Sequence, residues 1–151
     1  MTTIAYNFED KQVSVDSRCT SGTLINSDNA NKVTINNLGI WFFAGSIADR
    51  AELVTLSHGD VASHPLEGNA ILIRDEEAFL VYIEEDGRYC EVPLECNETL
   101  GSGSSFALAA MDFGCSAAEA VAYAMTRDIG TGGTIQLYDM SGIIDSEISK
   151  D

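Results

Sequence analysis

Residues 101–128 read GSGSSFALAAMDFGCSAAEAVAYAMTRD, and they decide the fold class. The first half is helical in pattern, with Gly114 placed to end the helix. Ser116 and Glu119 then form a capping box, in which a hydroxyl takes an orphan amide of the first turn and a carboxylate reaches back to the cap. A second helix therefore opens at once, over SAAEAVAYAMTRD. Two consecutive helices with strands on either side imply a helix pair laid over a sheet.

Outward from that pair, the chain reads mostly as strands. Near the start, Ile4, Tyr6 and Phe8 alternate with Thr3, Ala5 and Asn7, which is the period of a strand. Glu9-Asp10-Lys11 turns the chain, and Val13 with Val15 resumes the alternation as far as Asp16. Residues 17–32, SRCTSGTLINSDNANK, are polar and small, so a loop or a short irregular strand is expected. LGIWFFAG, 38–45, is an almost unbroken apolar run between glycines, as in a strand buried on both faces. The period then changes over SIADRAELVTLSHG, 46–59, where Ile47, Ala51 and Val54 share one face of a short helix. AILIRD and AFLVYIEEDGRYCEVPL read as strands with turns at Glu76-Glu77 and Asp86-Gly87. GGTIQLYDM and IIDSEIS close the chain as strands. The fold class is α+β, and 151 residues without repeat or linker read as one domain, 1–151.

Composition narrows the function. Eight Lys and Arg stand against 24 Asp and Glu, a net charge of −16. Nucleic acid and anionic membrane would repel such a chain, so neither is an expected partner. The start MTTIAYNFED lacks a basic segment followed by an apolar one, and no run reaches the ~18 apolar residues of a membrane span. A cytoplasmic location follows. Cys19, Cys90, Cys96 and Cys115 make no C-x-x-C pair and read as reduced structural thiols. His58 and His64 lie in the loop HGDVASHPLEG with no cysteine or helical partner, so no metal and no cofactor are expected.

Chemistry enters at the second residue. Removal of Met1 exposes Thr2, whose hydroxyl would be a nucleophile beside its own α-amine, with an unperturbed pKa of ~7.7–8.0. That amine can take the proton of its own hydroxyl near neutral pH. Met-Thr is a common beginning, and the weight comes from the rest of the chain. VDSR-x-T-x-G at 15–22, NKV at 31–33, AGS-x-AD at 44–49, GSG at 101–103 and RD-x-x-x-GG at 127–133 follow one another in order. In that order and spacing the chain resembles the proteasome β-subunits, and it is similar also to the core of the bacterial ATP-dependent protease of the same superfamily. The resemblance runs from Thr2 to Met140 with a gap in the middle.

The resemblance implies a four-layer α-β-β-α sandwich of the N-terminal-nucleophile hydrolase type, and a threonine-type endopeptidase. Thr2 matches the catalytic threonine, and Asp16 and Lys32 match the acidic and basic residues beside it. A buried ammonium at Lys32 would lower the pKa of the neighbouring hydroxyl and amine, and Asp16 would keep it charged and oriented. Gly45 matches the glycine whose N–H faces the developing oxyanion, a donor worth ~2.7–4 kcal/mol. Ser102 and Asp128 match residues that hydrogen-bond around the amine, and Thr131 stands where the family has serine. Cys19, Ala30, Phe43 and Ile47, with Thr20 beside them, match substrate-binding positions and imply an apolar side chain before the cleaved bond. A peptide or unfolded protein is the implied substrate, a homo-oligomeric ring the implied assembly, and an unfoldase is among the partners the resemblance allows.

The chain also departs from the family. The segment between the AGSIAD helix and the GSGSS loop is shorter, and the loop DVASHPLEGN takes the place of a long helix, so one helix layer is expected to be thinned. Two other readings stay open: a catalytically inactive assembly protein, if Met1 persists, and an N-terminal-nucleophile amidohydrolase acting on a small amide.

Overall fold

The computed structural model describes residues 1–140 and the backbone of a strand at 143–148, and the chain divides into two compact units. The first unit joins residues 1–32 to the segment from Glu95 onward, and the second is Val33–Leu94.

In the first unit β1 (Thr3–Asn7) and β2 (Gln12–Val15) form an antiparallel hairpin. β10 (Glu98–Gly101) pairs on the far side of β1, and β11 (Ile135–Asp139) pairs on the far side of β2. With β12 (Ile143–Ile148) the order is β10-β1-β2-β11-β12, all neighbours antiparallel. A separate hairpin, β3 (Cys19–Ser21) and β4 (Leu24–Ser27), stands in the segment expected to be loop or short irregular strand. The helix pair is α2 (Ser104–Asp112) and α3 (Ala117–Met125). Its small side chains allow close packing: Ala107, Ala110, Ala117, Ala120, Val121 and Ala124 cluster with Ala5 and Ile135 of the sheet. The Ser116–Glu119 capping box forms in both directions, at 3.2 and 2.9 Å. A box of this kind contributes ~1 kcal/mol to the helix start. Ser14 Oγ, buried in β2, donates to the Ala117 carbonyl at 2.6 Å and ties sheet to helix.

The strands of the second unit are β5 (Val33–Asn36), β6 (Gly39–Gly45), β7 (Gly68–Arg74), β8 (Glu77–Ile83) and β9 (Tyr89–Pro93). They form an antiparallel sheet in that order, accompanied by one helix. Trp41 through Ala44 are all buried, as expected of the LGIWFFAG run. The helix, α1 (Ile47–Leu53), lies where the period changed, but its inward face is different. Leu53 and Val54 pack with Trp41, Phe43, Leu72 and Val81, while Ile47 and Ala51 are exposed. Helix α1 runs barely two turns, so its last turn alone reaches the core. The turn between β7 and β8 falls at Asp75-Glu76, one residue earlier than expected, with φ of 53° and 62°.

No helix forms between Thr55 and Glu67. Two carboxylates of α1 hold this loop instead. Asp49 accepts the Glu67 N–H at 2.7 Å and meets His64 Nε2 at 3.2 Å, and Glu52 accepts the Ser63 N–H and hydroxyl, both at 2.7 Å. Those backbone bonds, with Ser63 Oγ and His64 added, hold both carboxyls below their ordinary pKa. A depressed carboxylate stabilises the fold above its unfolded pKa, ~4, and that contribution is lost as pH falls through the folded value. Amide hydrogen exchange of residues 57–67, corrected for intrinsic rate, is therefore expected to quicken below ~pH 4, while β6 and β7 stay protected. Equal protection of the loop at pH 3 and pH 6 would remove this account of it.

Candidate functional site

Thr2 sits one residue before β1, a strand paired on both sides, so its backbone is fixed by Thr3↔Gly101 and Ile4↔Val15. Gly101 has φ +94°, and a Cβ there would run into the Thr2 carbonyl. Only glycine lets β10 end so close to the chain start. At Gly103 the space is equally short: a Cβ would collide with Thr3 Oγ1 and press on Ala124 and Thr131. The GSG motif is thus a spacing device that admits α2 beside the first residues.

Asp16 follows the last residue of β2 and is fully buried. One carboxylate oxygen accepts the Thr3 N–H at 3.0 Å and the Lys32 ammonium at 2.9 Å. The other accepts the Gly132 N–H at 3.0 Å and the Arg18 N–H at 3.3 Å. Four donors make a buried charge tolerable. Lys32, 7 % exposed, gives a second hydrogen bond of 2.8 Å to the Met1 carbonyl. Burial lowers its pKa, and the Asp16 charge and hydrogen bond pull it part of the way back. The ammonium therefore lies against the peptide group that joins Met1 to Thr2.

A second network closes around the same residues. Asp128 Oδ2 accepts the hydroxyls of Ser102 and Thr131, each at 2.6 Å, and Oδ1 accepts the Gly130 N–H at 3.3 Å. Thr131 Oγ1 lies 2.6 Å from Thr3 Oγ1, and Ser102 Oγ lies 3.4 Å from the Thr2 carbonyl oxygen. Burial pushes the Asp128 carboxyl up, but these hydrogen bonds and the nearby α-ammonium outweigh it and leave the pKa below the ordinary value. Thr2, Asp16, Lys32, Ser102, Asp128 and Thr131 are thus brought together through sequence separations of up to 129 residues.

Cys19 and Thr20 are half-buried in β3, and Ala30 is half-buried in the segment after β4. In the second unit Phe43 is buried in β6 and Ile47 is exposed at the start of α1. Gly45 ends β6 with φ +145°, paired with Gly68, and a Cβ there would collide with the Glu67 carbonyl and lie 2.5 Å from Gly68 Cα. No other residue fits at that strand end. Cys19, Cys90, Cys96 and Cys115 are unbridged. Among the described residues no group of three or more His, Cys, Asp and Glu is placed to hold a metal ion, and no helix is long and apolar enough to cross a membrane.

The structure matches that of eukaryotic HslV from Trypanosoma brucei with a TM-score of 0.68, over 90 % of this chain and 97 % of the other, at 22 % identity. The chain has the HslV fold. No protein-family model matches it, and no curated protein does. The HslV fold fits the α+β class and the proteasome-type architecture expected from the motifs, with the first unit carrying a helix pair on its sheet and the second a single short helix.

Three contributors escaped the sequence reading. Arg18 binds Asp28 through Nε at 2.7 Å and a terminal nitrogen at 3.0 Å, and its other terminal nitrogen donates to the Ile129 carbonyl at 3.0 Å. Thr3 supplies both an N–H to Asp16 and a hydroxyl to Thr131. Ser17 Oγ reaches the carbonyls of Asp28 and Thr134, at 2.9 and 2.7 Å. The VDSR motif itself was the signal: its Asp binds the Thr3 N–H at the chain start, while its Ser and Arg both fasten Asp28 and reach on to Thr134 and Ile129.

Proposed function

We propose that this chain is an N-terminal-threonine peptidase, active once Met1 is removed. One observation carries the reading: the buried Asp16–Lys32 pair places an ammonium 2.8 Å from the carbonyl joined to the Thr2 nitrogen. A cation there favours the neutral amine and the ionised hydroxyl of an N-terminal threonine. In the proposed reaction the Thr2 hydroxyl attacks a peptide carbonyl and its proton passes to the Thr2 amine. The C–N bond breaks, the leaving amine takes that proton, and an ester on Thr2 remains. Water then hydrolyses the ester, with the amine again as base. Gly45 is proposed as the backbone donor to the oxyanion, and Ser102, Asp128 and Thr131 as the residues that position the amine. The apolar character of Cys19, Ala30, Phe43 and Ile47, with Thr20 beside them, supports cleavage after apolar residues.

The proposal includes a single 1–151 domain that works in the cytoplasm as a homo-oligomeric ring, on peptides or unfolded protein delivered by an unfoldase. Phe106, Leu108, Phe113 and Tyr123, exposed on or beside the helix pair, are apolar surface such a ring could bury, whereas Met111 and Ala120 belong to the core. A second reading has one observation in its favour: with Met1 in place the Thr2 nitrogen is an amide and cannot act as base, so a chain that keeps Met1 is an inactive assembly protein. One preparation tests these together. Intact mass is expected to show loss of methionine, fluorogenic peptides to be cleaved after apolar residues, and light scattering to show a ring at low and high salt. Retained methionine with no turnover would establish the inactive reading, and a species of about 16 kDa at both salts would remove the ring.

A further inference from the structure

Met1 is bonded to the nitrogen that becomes the Thr2 amine, and its side chain lines a pocket of about 320 Å³ within the first unit. The proposed reaction sends a proton from that nitrogen to the leaving amine. The residue that follows the cleaved bond must therefore depart within reach of the nitrogen, on the side where Met1 now sits. The seat of Met1 marks that side.

The pocket wall has a definite character. Met1 Cβ and Cγ rest against Gly130, where a side chain would occupy the same space. The charged groups of the wall are already engaged. Arg18 is held by Asp28 and the Ile129 carbonyl, and Asp128 by Ser102, Thr131 and the Gly130 N–H. Ile25 and Ile129 are left 49 % and 80 % exposed at its edge. Apolar surface gains from covering, whereas an acidic side chain would meet the charge of Asp128, and the Arg18 guanidinium beside it is already held by Asp28.

We propose that this pocket receives the side chain immediately after the cleaved bond, and that it selects a Leu- or Met-like residue there. The inference rests on the peptidase reading and adds to it a specificity determinant made of Ile25, Ile129 and Gly130.

The test uses protein whose mass places Thr2 at the N-terminus. Internally quenched peptides share every residue before the bond and carry Leu, Ala, Gly or Glu directly after it. Leu is expected to exceed Ala in kcat/KM by about tenfold or more, the scale of apolar-pocket discrimination, and Glu to be the slowest. In the Ile25→Ala, Ile129→Ala double variant the Leu-to-Ala ratio falls to about threefold or less; a ratio taken within one protein is insensitive to how much of it is folded. Ile129→Lys, at an exposed position, is expected to raise Glu relative to Leu. Peptides cut with no preference after the bond, or with a preference that none of these variants moves, would overturn the pocket while leaving the peptidase reading intact. Failure to cut any of the peptides would overturn both.

Discussion

Thr2→Ala is expected to lower peptide hydrolysis by about a million-fold, into background, because the nucleophile of a covalent mechanism has no substitute. The melting temperature should move by no more than a degree or two. The Thr2 backbone is held by the strand pairs on either side of it, and its hydroxyl makes none of the hydrogen bonds that join Asp16, Lys32, Ser102, Asp128, Thr131 and Thr3. Thr2→Ser, which keeps the hydroxyl, should retain measurable turnover. The decisive measurement is kcat/KM on a fluorogenic peptide for both variants, each with its N-terminus verified by mass. Full activity in Thr2→Ala would transfer the chemistry to another residue and end the N-terminal-threonine reading.

What could be read from the residues divides along physical lines. The hairpin β1–β2 and the helix pair carry strong periodicity and a capping box, and both stand where expected. Strands β5 and β10 went unread because VTIN and ETLG are four residues each and hold too few apolar positions to show a period. Their place in the sheets is set by pairing, Val33↔Phe42 and Thr3↔Gly101, which no local pattern records. In α1 the spacing of Ile47, Ala51 and Val54 is truly helical, yet only the last turn meets the core. Periodicity gives an apolar stripe without saying which end of it is covered.

The candidate site follows the same division. Asp16 and Lys32 could be picked out because each sits in a motif, and their 2.9 Å contact joins them across sixteen positions. Asp28 could not, since it stands in the polar run SDNANK with nothing to mark it, and its role depends on Arg18 ten residues earlier. Gly132 read only as part of RD-x-x-x-GG, and Gly130 fell on one of its unspecified positions. The reasons for them are contacts: Met1 against Gly130, the Arg18 guanidinium against Gly132.

The Asp16–Lys32 pair should separate catalysis from stability, because its two halves are supported differently. Lys32→Ala removes the cation but leaves Asp16 three backbone donors, from Thr3, Arg18 and Gly132. A carboxylate so held remains solvated by the protein, so the variant is expected to fold with a modestly lower melting temperature. Its kcat should nevertheless fall about a thousandfold or more, the scale of one preorganised charge or proton-transfer partner. Asp16→Ala does the opposite kind of damage. It strands a buried ammonium and leaves the N–H groups of Thr3 and Gly132 without the acceptor they use here. Breaking a buried pair this way costs ~3–5 kcal/mol, which at this chain length lowers the melting temperature by about 10 °C. Asp16→Asn keeps the shape and loses the charge, and it decides between the two effects. Without Asp16 to offset burial, the Lys32 pKa falls further below its ordinary value, so activity should drop as the ammonium is lost and the pH–rate profile should shift. Lys32→Ala within tenfold of the unchanged protein, or an Asp16→Asn profile identical to it, would show that the pair holds the fold together and takes no part in the reaction.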